Sequence, residues 1–184
     1  MSIVFFVGLG IIILIIIFFF SSPHLSPIPY FPSNKKDSEL IIKALELKNN
    51  QIVADLGAGD GWVLFEAARI ALQKHLHTKF VAVEINPILL ILMHIKRLFH
   101  PNKKNIRIMY GNMFTMNFSF LSSNHQPLTT IYIYISPWFI PKLLVHLKNQ
   151  RFTGSIVSYY YDIKSLKPTT TYKGRYNVSV YSLF

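Results

Sequence analysis

The segment Asp55-Leu56-Gly57-Ala58-Gly59-Asp60-Gly61 constrains this chain more than any other. It joins a short apolar run, Gln51 to Leu56, to a helical pattern, Trp62 to His75. A buried strand that breaks into alternating glycines and then enters a helix opens a parallel βαβ unit. Gly57, Gly59 and Gly61 permit a tight turn and let the backbone approach a ligand without a Cβ in the way. The helix that follows offers unpaired N–H groups to an anion. Asp55, at the end of the strand, is placed to hold a cationic group of the same ligand, and Asp60 lies within the loop.

Strand and helix patterns then keep alternating. Ser38 to Leu47 has helical spacing, with Asp37 or Ser38 as N-cap. Lys79 to Glu84 reads as a buried strand, Pro87 to Phe99 as a helix with proline in its first turn, and Ile106 to Tyr110 as a third strand. Thr129 to Ile135 alternates β-branched and aromatic residues as strands do, Pro137 to Leu147 is helical, and Ser155 to Tyr161 is a fifth strand. Thr169 to Tyr172 and Tyr176 to Leu183 flank Lys173-Gly174-Arg175 and form a hairpin. The expectation is an α/β fold with a mostly parallel seven-stranded sheet and a C-terminal antiparallel hairpin. It leaves no room for a normal helix between the fifth and sixth strands.

Two further strand ends carry chemistry. Val83-Glu84-Ile85-Asn86 places a carboxylate where it can accept two charge-assisted hydrogen bonds from a ribose diol. Dinucleotide-binding folds use an acid at the same place, but their glycines are spaced G-x-G-x-x-G. Here the spacing is G-x-G-x-G after an aspartate, which argues against a nicotinamide cofactor. Tyr110-Gly111-Asn112-Met113-Phe114 follows the third strand and Ile135-Ser136-Pro137-Trp138-Phe139 the fourth.

Ahead of this domain, Ile3 to Phe20 is an uninterrupted apolar run of 18 residues. As a helix it would be about 27 Å long, close to the hydrocarbon thickness of a bilayer. No basic residue precedes it and Ser21-Ser22-Pro23 is a poor cleavage site, so it reads as an uncleaved anchor rather than a signal peptide. Lys35 and Lys36 follow it, which places the rest of the chain on the cytoplasmic side of a single-pass membrane protein. The expected division is an anchor over residues 1–22, a Pro-rich linker over 23–36 and the α/β domain over 37–184. The chain carries 19 Lys plus Arg against 8 Asp plus Glu, a formal charge of +11, yet has no Arg-rich helix or RNA-binding signature. Nucleic acid is therefore not the expected partner. Cysteine is absent, which excludes disulfides and thiolate metal sites, and no histidines have ligand spacing, so no metal is expected.

The seven strands with a closing hairpin, the glycine motif and Glu84 resemble the class I, Rossmann-like methyltransferases. Within them the chain resembles the lysine methyltransferases of the ATP synthase c-subunit and the adenine nucleotide translocase. The residues carrying that narrower likeness are the N-terminal apolar run, Pro29-Tyr30-Phe31-Pro32-Ser33 and Val83-Glu84-Ile85-Asn86-Pro87. The resemblance implies S-adenosylmethionine as cofactor, held by Asp55, Gly57, Gly59, Asp60, Gly61, Glu84, Asn112 and Met113. It puts Asn112 where many relatives have an aspartate against the adenine amino group. Ser136, Pro137, Trp138 and Phe139 stand where amino-group methyltransferases carry Asn/Asp-Pro-Pro-Tyr/Phe. With Tyr30 and Phe31 they are the candidates for an aromatic acceptor pocket. The implied acceptor is a protein lysine, often on a membrane protein, with the bilayer reached through the N-terminal helix. No catalytic base is assigned. Two other readings stay open: a non-catalytic, membrane-tethered module of the same fold, and a small-molecule methyltransferase.

Overall fold

The computed structural model describes residues 3–21, 28, 30–122 and 127–183, and of residues 16–21 the backbone only. Twelve elements build it: α1 (Ile3–Ser21), α2 (Ser38–Ala44), β1 (Ile52–Leu56), α3 (Trp62–Gln73), β2 (Lys79–Glu84), α4 (Pro87–Leu98), β3 (Ile106–Tyr110), β4 (Leu128–Ile133), α5 (Ile140–Asn149), β5 (Gly154–Tyr159), β6 (Thr170–Lys173) and β7 (Asn177–Leu183). The sheet order is β3-β2-β1-β4-β5-β7-β6. The first five strands in that order run parallel, and β7 pairs antiparallel with both β5 and β6.

Alternate residues along each strand point to opposite faces, and two hydrophobic clusters follow from that. Val53, Phe80, Ala82 and Val157 look toward α2, α3 and Met93 of α4. Ile52, Ala54, Val81, Val83 and Ile156 look toward Leu143 and Leu147 of α5. Strands covered on both faces read as continuous apolar runs, as β1 and β2 do. Chain order reverses between β1 and β4, and open α/β sheets bind ligands in the crevice beyond the strand ends at such a point.

Several boundaries shift for local reasons. β5 stops at Tyr159 rather than Tyr161, because Tyr160 takes a left-handed backbone (φ 72°) and turns the chain away. α5 begins at Ile140, not Pro137: residues 137–139 form a turn closed by Phe139 N–H donating to the Ser136 carbonyl at 3.0 Å. No helix lies in residues 160–169 between β5 and β6.

The N-terminal region departs most from expectation. Among the described residues no helix is long and apolar enough to cross a membrane. α1 extends to Ser21, but its side chains are described only as far as Ile15, about 20 Å of helix rise. A span is therefore not established, although α1 is a helix as the apolar run requires. The linker expected over 23–36 falls outside the described residues at 23–27 and 29, as do residues 123–126 of the loop between β3 and β4. From Lys35 the chain is already a 3-10 turn, capped by the Asn34 side chain accepting from Lys36 N–H at 3.0 Å.

Candidate functional site

The loop after β1 lies at the floor of a crevice between the ends of β1, β2 and β4. Gly57 and Gly59 both have positive φ, 87° and 59°. A Cβ on Gly57 would come 2.7 Å from Met113 Cε, and one on Gly59 would come 2.6 Å from a ring carbon of Tyr30. Backbone conformation favours glycine at both positions, and at Gly59 the Tyr30 ring also leaves no room for a side chain. Gly61 does a different job: its φ is 75° and its missing Cβ leaves room for Phe65 and Met93, so it packs α3 against α4 and lies outside the crevice lining.

Glu84 ends β2 with its carboxylate buried. Oε2 accepts from Gly59 N–H at 2.8 Å, and Oε1 accepts from Ile85 N–H and Asn86 N–H, both at 2.8 Å. The side chain thus ties the glycine loop to the β2–α4 turn. An ionised carboxylate has about four acceptor positions, so three backbone donors leave roughly one for a ligand hydroxyl. The expected two bonds to a diol therefore require one of these three N–H groups to be released. Burial raises the Glu84 carboxyl above its ordinary range against the pull of these three donors.

Asp55 is more exposed electrostatically. It is 4 % solvent-accessible, and among the described residues no hydrogen bond or ion pair to its carboxylate is present. Burial drives its carboxyl well above the ordinary carboxylate range, and the neighbouring Glu84 and Asp60 drive it further. A cation brought beside it would reverse that shift. Asp60, by contrast, is already committed. Oδ1 accepts from Trp62 N–H at 3.2 Å, Oδ2 pairs with Lys96 Nζ at 2.6 Å, and the carboxylate takes the Tyr30 hydroxyl. Burial and that carboxylate raise the Tyr30 phenol to about 12.

The remaining walls come from Ile85, Leu89, Gly111, Asn112, Met113 and Ile135, with Tyr134 between the two halves of the crevice. Asn112 Oδ1 already accepts from Phe114 N–H at 2.9 Å, closing the turn after β3. The segment from Tyr30 to Ser33 roofs the crevice, and Ser33 Oγ lies 2.8 Å from the Tyr132 hydroxyl. Under this roof the enclosed volume at the β2 side is about 60 Å³. Cofactor pockets run to roughly 300–1,000 Å³, so a nucleoside cofactor requires Tyr30 and Phe31 to lift off the glycine loop.

The structure thus brings together Asp55, Gly57, Gly59, Asp60, Glu84, Asn112, Met113, Tyr30 and Phe31. It does not bring Ser136, Pro137, Trp138 or Phe139 into the lining: Trp138 is 85 % exposed, and Phe139 packs on Phe114 with ring centroids 5.8 Å apart. The β4 strand ends earlier than its pattern suggests, so Tyr134 and Ile135 occupy the place expected of that motif. Asp37, expected as an N-cap, makes no cap bond. Its buried carboxylate instead accepts from the Tyr159 hydroxyl (2.8 Å), Arg175 N–H (2.7 Å) and Tyr176 N–H (3.1 Å), fastening the roof segment to β5 and to the β6–β7 hairpin. Only the rarity of acids in this chain, eight in all, could have drawn attention to Asp37 in the sequence.

This sheet order, with its antiparallel β7 and its crevice at the β1–β4 reversal, is the class I methyltransferase fold. Solved structures with the same fold include an RNA methyltransferase from Salinibacter ruber in complex with S-adenosyl-L-homocysteine, 21 % identical, with a TM-score of 0.68 over 83 % of this chain and 93 % of that one. A precorrin-6y C5,15-methyltransferase from Geobacter metallireducens is 13 % identical, with a TM-score of 0.58 over 83 % and 89 %. A SAM-dependent methyltransferase from Thiobacillus denitrificans, also in complex with S-adenosyl-L-homocysteine, is 15 % identical, with a TM-score of 0.54 over 78 % and 54 %. At such identities the likeness establishes the fold. No protein-family model matches the chain, and no curated protein matches it. The narrower resemblance to the c-subunit and translocase lysine methyltransferases gains no support from these comparisons.

Proposed function

We propose that this protein is an S-adenosylmethionine-dependent methyltransferase acting on an amine, with a protein lysine as the acceptor. The observation that carries the cofactor is Asp55, a buried carboxylate at the floor of a glycine-lined crevice, with no counter-charge among the described residues. Three of the chain's eight acids, Asp55, Asp60 and Glu84, converge there although the protein is strongly basic overall. Such a site favours a cationic ligand, and both the ammonium and the sulfonium of the cofactor are cationic. Asp55 would hold the ammonium, Glu84 the ribose hydroxyls, and Leu89, Asn112 and Met113 would enclose the base.

S-adenosylmethionine, held by Asp55 and Glu84, would supply an electrophilic methyl group to an acceptor nitrogen, the carbon–sulfur electron pair staying on sulfur. The chain's part is alignment and exclusion of water. Tyr30, Phe31 and Tyr134 form an aromatic rim that desolvates an incoming amine. Desolvation lowers an amine pKa from its ordinary value of about 10.4 and frees the lone pair that attacks. Ser136, Pro137, Trp138 and Phe139 lie outside the lining, so the rim rests on Tyr134 in their place.

We further propose that α1 attaches the protein to a membrane with the α/β domain on the cytoplasmic side. The apolar side chains of α1 from Ile3 to Ile15 support this, being 45–81 % exposed. RNA is a second acceptor reading, favoured by the +11 charge and by the likeness to the Salinibacter enzyme. The deciding experiment incubates the full chain with methyl-labelled cofactor and a membrane extract. Label recovered as methyl-lysine supports the proposal, label in nucleosides moves it to RNA, and no binding of S-adenosylhomocysteine overturns the enzyme reading altogether.

A further inference from the structure

The outward face of α4 is apolar. At about 100° per residue, Ile91, Leu92, Ile95, Leu98 and Phe99 fall within about 120° of arc, opposite the buried Leu89 and Met93. Their exposures are 60, 42, 50, 62 and 84 %. A helix on the surface of a soluble domain normally turns its polar face outward, and a contiguous exposed apolar stripe marks an interaction site. Nothing in the sheet requires this stripe, because Met93, with the partly buried Leu90 beside it, already supplies the core contact.

Two observations identify the occupant. α1, whose apolar side chains from Ile3 to Ile15 are themselves exposed, lies against α4. The two helices therefore present adjoining apolar surface. Just past the end of α4, Lys103 and Lys104 are exposed, and the whole chain carries +11. Apolar side chains edged by lysines match the boundary between anionic headgroups and acyl chains. The same excess of like charge opposes the pairing of two copies across this face.

We propose that the outer face of α4, beside α1, docks on an anionic bilayer surface with these five side chains inserted at the headgroup–acyl boundary. The docking does not require α1 to cross the membrane, and it is independent of the methyl-transfer reading. It has a consequence for the crevice. Leu89, on the opposite side of the same helix, lines the crevice, so docking sets the site about one helix diameter, roughly 10 Å, from the membrane surface. Acceptors presented by membrane proteins close to the headgroups would then be within reach.

The absence of native cysteine makes the test direct. Ile95→Cys and Val145→Cys, each in the full chain, carry a polarity-sensitive fluorophore. Val145 is 61 % exposed on α5, which covers the other face of the sheet. On adding phosphatidylcholine–phosphatidylserine vesicles, the label at 95 shifts to the blue and is quenched by spin labels on the lipid acyl chains, while the label at 145 does neither. Ile91→Glu combined with Ile95→Glu lowers vesicle partitioning by about tenfold or more without changing thermal unfolding. A label at 95 that stays water-like on bound vesicles overturns the proposal, as does a double variant that partitions like the native chain. A blue shift at 95 that appears without lipid and grows with protein concentration overturns it in favour of a second copy.

Discussion

Glu84 holds the glycine loop and is proposed to take a ribose hydroxyl, and two substitutions separate the roles. Its carboxylate accepts three backbone N–H bonds at 2.8 Å, from Gly59, Ile85 and Asn86. In Glu84→Ala all three donors lose their partner in a buried setting, at about 1–3 kcal/mol each. Part of that is returned because the buried charge is itself penalised, as the raised carboxyl pKa shows. A net loss of about 3 kcal/mol is expected, which lowers the melting temperature by roughly 6–12 °C for a domain of this size. Glu84→Gln keeps one oxygen for Ile85 and Asn86 and sets its amide nitrogen against Gly59 N–H. It loses one bond, about 1–3 kcal/mol, and is relieved of the charge. The fold is retained, while the charge-assisted bond to a ribose hydroxyl is lost. At about 1.5–3 kcal/mol for that bond, affinity for S-adenosylhomocysteine falls about 10- to 150-fold. The assay pairs thermal unfolding with calorimetric titration of the native chain and both variants, NAD being the control ligand. An alanine variant that melts with the native protein would refute the hydrogen-bond argument. A glutamine variant that binds within about threefold of native, less than 1 kcal/mol, would refute the assignment to the ribose.

The other predictions concern burial and backbone. The Asp55 carboxyl is raised in the folded state relative to its ordinary 3.8, so the folded protein binds the extra proton. Stability therefore falls as pH rises from about 4 through the folded pKa. Asp55→Asn flattens that slope in denaturant titrations at several pH values, stabilises the free protein at neutral pH, and abolishes the ligand's ammonium contact; an unchanged slope would refute the assignment. Asp37→Ala strands the Tyr159 hydroxyl and the N–H groups of Arg175 and Tyr176, costing about 3–9 kcal/mol by urea unfolding. Gly59→Ala combines a left-handed backbone with a Cβ 2.6 Å from the Tyr30 ring. It should displace Tyr30 from the loop, seen as an increase in tyrosine accessibility, and cost about 1–2 kcal/mol.

The sequence determined the fold class because its signals are local and repeated. Asp55 to Gly61 had to be a strand-to-helix turn, since successive positive φ angles tolerate little but glycine. The apolar runs of β1 and β2 had to be covered on both faces, and the Lys173-Gly174-Arg175 turn had to reverse the chain into β7. Glu84 was legible for the same reason, lying at a strand end at a fixed distance from the glycines. What tertiary structure decided depends on contacts between residues far apart in sequence. Asp37 meets a hairpin nearly 140 residues away and so becomes a fastener rather than a helix cap. Asp60 is taken up by Lys96 and Tyr30, while Asp55, five residues earlier, is left without a counter-charge among the described residues. Because β4 ends at Ile133, Tyr134 and Ile135 line the crevice and Trp138 is left in solvent, which no alternation of side chains could signal. The outward apolar stripe of α4 also needed the fold: helical spacing shows two apolar sides to that helix, and only packing tells which of them the core takes.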